Sequence, residues 1–240
     1  MPFSNVYEDP RRAASYAALE FPGTYHLAFR DLPALYREHV RGSRAVDFGC
    51  GAGRSTRFLK AHGFEATGVD ISADMVRLAR ERDPAGDYRL IADGDFCGLR
   101  AGGFDLVQSV FTFDNVPGRE RKAALLAGLA SLLAPGGRVM SLVSSPEIYV
   151  NEWASFTTRQ FSTNFTARCG DPVFTVMNDV EDRRPVEDVL WPHADYLDVY
   201  RRACLEVIAE HRPLGRDDEG IAWVSETRVA PWVIYVLGAA

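Results

Sequence analysis

Cysteine, lysine and long apolar runs are all scarce in this chain of 240 residues. The cysteines, at 50, 97, 169 and 204, share no CxxC pair and no zinc-ligand spacing. That pattern excludes a disulfide framework or a zinc module and leaves free, mostly buried thiols in a reducing compartment. Lysine occurs only at 60 and 122, and the arginines are scattered rather than gathered into a stripe. Acids outnumber bases 33 to 27, for a net charge of −6. Nucleic acid is therefore not the expected partner, because grip on a phosphate backbone comes from Lys and Arg displacing counterions. No run approaches the ~18 apolar residues of a membrane span, and Met1-Pro2-Phe3-Ser4-Asn5 lacks both parts of a signal peptide. The expectation is a cytoplasmic protein with no membrane partner. The sequence also holds no internal repeat or low-complexity tract.

What is present is an ordinary globular balance, 47% apolar and 25% charged, which excludes collagen, coiled coil and wholesale disorder. The length fits one domain, or a domain of ~100–200 residues carrying an insertion. Short apolar runs at 45–48, 66–69, 88–92, 104–110 and 138–143 alternate with amphipathic stretches at 54–62, 72–82 and 118–133. Runs apolar on both faces, separated by helices, predict a parallel sheet covered on both sides. Before it, residues 1–40 read as a helical cap. Asp9-Pro10 opens one helix, Pro22-Gly23 breaks it, and Asp31-Leu32-Pro33 precedes another that runs to His39. After the core of 41–145, residues 146–193 break the rhythm with alternating stretches at 173–180 and 185–191, read as an antiparallel hairpin. Residues 194–240 return to core patterning, with a helix and two strands. The fold class predicted is α/β, a single domain with a β-rich insertion after strand five.

One loop carries the chemistry. Val46-Asp47-Phe48-Gly49-Cys50-Gly51-Ala52-Gly53-Arg54 ends the first strand and opens a helix. Glycines there let the backbone turn tightly and approach a ligand where a Cβ would collide. Asp70 closes the second strand twenty-one residues after Gly49, the spacing a carboxylate needs to reach both hydroxyls of an adenosine ribose beside the loop. A nicotinamide-binding unit offers such an acid too. It differs in its Gly-x-Gly-x-x-Gly spacing, whereas here the loop is Gly-x-Gly-x-Gly with Asp47 two residues ahead.

At these residues the chain resembles the class I S-adenosylmethionine-dependent methyltransferases. Ile91-Ala92-Asp93-Gly94-Asp95 is similar to the family's third motif, with Asp93 where an acid meets the adenine amino group. Gly103-Phe104-Asp105-Leu106-Val107 resembles its fourth strand, and Leu133-Ala134-Pro135-Gly136-Gly137-Arg138 its turn into strand five. The resemblance covers 44–145 and implies a seven-stranded sheet, last strand antiparallel, with S-adenosylmethionine as cofactor and S-adenosylhomocysteine as product. It implies cofactor contacts from Asp47, Gly49, Cys50, Gly51, Gly53, Asp70, Ile71, Asp93, Gly94, Asp95 and Ser109. In the cap it implies a closing Tyr16 and an Arg30 that pairs with the methionine carboxylate. The chain also departs from the pattern. Asp114 and Asn115 stand where many small-molecule members carry two histidines. The second acid–amide pair of the Mg²⁺-dependent members is missing at Ser144-Ser145-Pro146-Glu147, so no metal is expected. The motifs of the protein-arginine and DNA-amino branches are absent.

The resemblance implies an N- or O-methyltransferase with a small acceptor, and natural-product tailoring is the expected context. Phe111 and Phe113 follow strand four on the sheet edge where open α/β folds bind ligands, with Asp114 and Asn115 next. Tyr149, Trp153 and Trp191 of the insertion are placed at the same mouth, and His26 and His193 flank it. This set suits a planar heteroaromatic or phenolic metabolite, with Asp114 orienting or deprotonating it. The charge run at 181–188 reads as a solvated hairpin rim. The alternative is a non-catalytic S-adenosylmethionine-binding sensor or partner subunit. Oligomeric state is not legible.

Overall fold

The computed structural model describes residues 19–240. The helix expected from Asp9-Pro10, and Tyr16 with it, lie outside the described residues. Helices α1 (Thr24–Arg30) and α2 (Leu32–His39) lead into β1 (Arg44–Phe48), α3 (Arg54–Ala61), β2 (Glu65–Asp70), α4 (Ala73–Arg82) and β3 (Asp87–Leu90). Then come β4 (Phe104–Val110), α5 (Arg119–Ser131) and β5 (Leu133–Ser144). The insertion supplies β6 (Phe156–Thr157), β7 (Pro172–Met177) and β8 (Val186–Val189), before α6 (His193–Arg202), β9 (Leu205–His211) and β10 (Trp232–Ala239).

Seven strands form one sheet in the order β3-β2-β1-β4-β5-β10-β9, and β6-β7-β8 form a second. Strands β1 to β5 are parallel, and β10 runs antiparallel to both neighbours. The period of two along each strand explains the layering. On β10, Ile234 and Val236 join the core under α1, α2 and the insertion, while Val233, Tyr235 and Leu237 join the core under α5 and α6. The strand order reverses between β1 and β4, and a crevice forms beyond the carboxyl ends of such neighbours.

The cap and the insertion are fastened to each other. Thr24 N donates to Ser155 Oγ at 2.9 Å, and Ser155 N donates to Thr24 Oγ1 at 3.0 Å. Behind them Glu226, fully buried, accepts from Thr24 Oγ1 and the Ala154, Val224 and Ser225 amides. That clamp fixes α1 and the second sheet over the crevice. No helix among the described residues is long and apolar enough to cross a membrane.

Candidate functional site

The loop after β1 is anchored where it leaves the sheet. Gly49 N and Cys50 N both donate to Val69 O, at 2.9 and 3.0 Å. Gly49 has φ +71°, and a Cβ there would lie 2.1 Å from Thr112 Oγ1, whose hydroxyl bonds Phe48 O at 3.0 Å. Gly49 is therefore required by the protein's own packing. Gly51 differs: at φ +52° its nearest obstacle to a Cβ is Met75 Sδ at 4.0 Å, and the residue lines a cleft of about 820 Å³. Its missing side chain leaves room for something other than protein. Gly53, in the left-handed region, caps α3 and packs on Tyr88 instead of the cleft.

Asp70 lies at the end of β2 on the cleft wall. Its Oδ2 accepts from Gly51 N and its Oδ1 from Ser72 N, each at 2.8 Å. Burial pushes this carboxyl above the ordinary carboxylate range, and the backbone N–H bonds oppose that rise. Ile71, Met75, Ile91, Val116 and Leu125 form an apolar slot between Asp70 and Asp93, and Asp93 pairs with Arg121 on α5. An acid, a flat apolar slot and a second acid match the ribose and adenine of S-adenosylmethionine, and Gly51 leaves space beside them. The residues fit the cofactor.

Two smaller cavities adjoin the cleft. One shares Gly49, Gly51 and Val110 with it and is lined further by Leu19, Phe29, Cys50 and Arg54. Arg54 lies over the rings of Tyr25 and Phe29, at 4.9 and 5.4 Å. The other, about 420 Å³, shares Phe111 and Asn115 with the cleft and reaches Asp114, Ser144, Asp188, Tyr25, Phe156 and Trp232. Phe111 sits at the junction with φ +63°, a conformation costing a non-glycine residue ~1–2 kcal/mol.

Several expected contacts are placed elsewhere. Arg30 is held by Asp31 at 2.8 Å and Glu219 at 2.5 Å, away from all three cavities, so its charge is already matched within the chain. Asp47 is fully buried behind the loop, accepting from Ser55 and Thr56 hydroxyls at 2.6 Å, and burial raises its carboxyl to about 6. Ser109 points into the sheet interior with an unpaired hydroxyl. Gly94 and Asp95 are exposed beyond the cleft, where Asp95 caps Cys97 N. Phe113, two residues after Phe111, packs on Phe48 in the core under α5. Trp153 donates to Ile148 O inside the insertion, and Trp191 covers the Lys122 ammonium at 4.8 Å. Tyr149 stands behind the cavity wall and donates its hydroxyl to Asp188 Oδ2 at 3.2 Å. His26 faces Glu219 and His193 bonds Tyr235, both off the cavities.

Asp114 does reach the acceptor-side cavity, but its carboxylate is heavily used. It accepts from Ser144 N and Oγ, at 3.1 and 2.8 Å, and from Tyr196 at 3.4 Å. Burial raises it to about 6. Asp188, Tyr25, Phe156, Trp232 and Arg54 were not among the expected site residues. A signal for Asp188 existed, since period two puts it on the same face as buried Val186. Among the described residues, no three His, Cys, Asp or Glu side chains are grouped as metal ligands.

Residues 46–141 match a family model described as a methyltransferase domain. A ubiquinone biosynthesis O-methyltransferase of Xanthomonas axonopodis pv. citri (strain 306) is 32% identical over 102 residues, 41% of this chain and 41% of that protein. The chain thus matches about two fifths of that relative's length. In three dimensions the CcbJ methyltransferase of Streptomyces caelestis matches with a TM-score of 0.64 at 17% identity, over 92% of this chain and 100% of the other. An S-adenosylmethionine-dependent methyltransferase of Mesorhizobium loti gives 0.59 at 21% identity, over 86% and 96%. At these identities the two structures share the fold.

Proposed function

The chain belongs to the class I S-adenosylmethionine-dependent methyltransferase family, and on that premise we propose that it methylates N or O of a small, ring-bearing metabolite. The observation that carries the reading is continuity. The Asp70–Asp93 slot, the glycine loop and the aromatic chamber meet at Phe111 and Asn115. In this reading Asp70 holds the ribose hydroxyls, Asp93 the adenine edge and Ile71 one face of the base. Arg54, beside the loop, takes the position toward the methionine carboxylate once assigned to Arg30.

When bound, the sulfonium supplies an already activated methyl group. The chain's own part is alignment, which can lower a barrier by up to ~7–11 kcal/mol when reacting atoms are well placed. Phe111 and Asn115 face both chambers and so set the angle between them. Asp114 orients the acceptor from the chamber wall. The Thr24–Ser155–Glu226 clamp keeps the cap and the insertion closed over the chamber and excludes water. The ubiquinone O-methyltransferase similarity makes oxygen one candidate, and natural-product tailoring is the setting proposed.

The test is to incubate the purified protein with methyl-deuterated S-adenosylmethionine and a metabolite extract, then search by mass spectrometry for a small molecule gaining one labelled methyl. A labelled product that needs the protein supports the reading. Cofactor binding without any labelled product, across extracts from producing cells, favours the non-catalytic sensor instead.

A further inference from the structure

The chamber beyond Phe111 is lined by two carboxylates, Asp114 and Asp188, and, among the described residues, by no cationic side chain. Asp188 uses only Oδ2, for the Tyr149 hydroxyl, and its Oδ1 has no partner among the described residues. Thr175, 4% exposed, lines the same space with a hydroxyl that is likewise unpaired there. The nearest ammonium, on Lys122, is turned away to Phe113 O and the Trp191 ring. The same space is lined by Trp232 and three rings packed on it, Phe111 at 4.6 Å, Phe156 at 5.8 Å and Tyr25 at 5.9 Å between centroids.

The Lys122 charge acts on both carboxyls but can offset only one of them, and a desolvated acid left without a counter-cation is costly. Burial and the Asp114 charge hold Asp188 up at about 7. A neutral phenol would leave this imbalance in place. An ammonium would relieve it, since the chamber offers it both carboxylates and aromatic rings, whose faces attract cations.

Resting on the methyl-transfer reading above, we propose that the acceptor is an amine that enters as its ammonium and is held by Asp188, Thr175 and the Trp232 ring cluster. The ammonium loses one proton to the Asp188 carboxylate. The freed nitrogen lone pair then forms the new bond to the methyl carbon as the carbon–sulfur bond breaks, and the sulfur keeps that bond's electron pair. Bond formation leaves the methylated nitrogen as an ammonium, which departs in that form, and Asp188 returns its proton to water. Asp188 is thus both counter-ion and base, and Asp114, its valences filled by Ser144 and Tyr196, sets the negative field of the chamber.

Two probes of matched shape, benzylamine and benzyl alcohol, test this by calorimetry on protein saturated with S-adenosylhomocysteine. The amine is expected to bind wild type at least tenfold more tightly than the alcohol. Asp188→Asn should weaken amine binding by at least tenfold, with S-adenosylhomocysteine affinity unchanged as the check on folding. Equal binding of the two probes, unchanged amine binding in Asp188→Asn, or no amine binding at millimolar concentration overturns the proposal while the methyl-transfer reading stands. If Asp188→Asn does not fold, the amine-over-alcohol preference of wild type decides alone. Failure of wild type to bind S-adenosylhomocysteine sinks both.

Discussion

Replacing Gly51 by valine separates ligand collision from loss of fold. At φ +52° any side chain pays the left-handed cost of ~1–2 kcal/mol, more for a β-branched one. Sterically the described residues leave room, because among them only Met75 Sδ comes within 4.0 Å of the new Cβ. The valine therefore projects into the cleft beside Asp70, where the ribose would lie. Gly220→Val is the matched control: it too sits in the left-handed region, at φ +67°, is exposed, and has nothing within 4 Å. Both variants should lose similar stability by denaturant titration. By calorimetry, Gly220→Val should bind S-adenosylhomocysteine like wild type, while Gly51→Val should bind at least 100-fold more weakly, ~2.7 kcal/mol. A folded Gly51→Val protein within threefold of the control would refute the assignment of the cleft.

Asp70→Ala should cost cofactor affinity at least tenfold, since hydrogen bonds to a charged group are typically worth ~1.5–3 kcal/mol; wild-type affinity by calorimetry would contradict this. For Asp114→Asn we expect a drop in kcat/KM with the true acceptor of roughly tenfold or more, S-adenosylmethionine binding intact. An unchanged ratio would leave Asp114 as a cap for the Ser144 turn alone. The pH response follows from three buried acids, Asp47 and Asp114 at about 6 and Asp188 at about 7. Their folded values lie above the unfolded ones, so the stability they add is full below the ordinary carboxylate range and is lost as pH rises through 6 to 7. Lys122, pushed down to about 8 by burial, acts in the opposite sense only at higher pH. The Tm of the unliganded protein should therefore fall between pH 5 and pH 8, and a rising Tm across that window would contradict the burial of these groups.

The layout of the sheet was legible because each strand and helix signals itself locally. The runs at 45–48 and 104–110 and the helical stretch at 72–82 lie within a few residues of β1, β4 and α4. Asp70 and Gly51 were equally legible, since strand ends and glycine spacing fix both on one crevice. The acceptor side was not, because it depends on the packing of the insertion. Phe111 and Phe113 look alike in sequence, yet the positive φ at 111 turns one into the cavity and the other into the core. Trp153 and Trp191 offered large rings that are spent in packing, Trp153 donating to Ile148 O and Trp191 lying over Lys122 of α5. Arg30 suited an anion by residue type alone, and only the folded chain shows Asp31 and Glu219 already pairing with it. Asp188 was hidden in a run of charges in which Glu181, Arg183, Arg184 and Glu187 face solvent.

What occupies the Asp70–Asp93 slot decides what this protein binds. The direct measurement is calorimetric titration of the wild-type protein with S-adenosylhomocysteine and, separately, with NADH. One site for S-adenosylhomocysteine and no heat from NADH is the predicted result, with a stabilisation of ~2.7 kcal/mol at 100 times the Kd in a parallel denaturation. Binding of NADH in its place, or of neither, would contradict it.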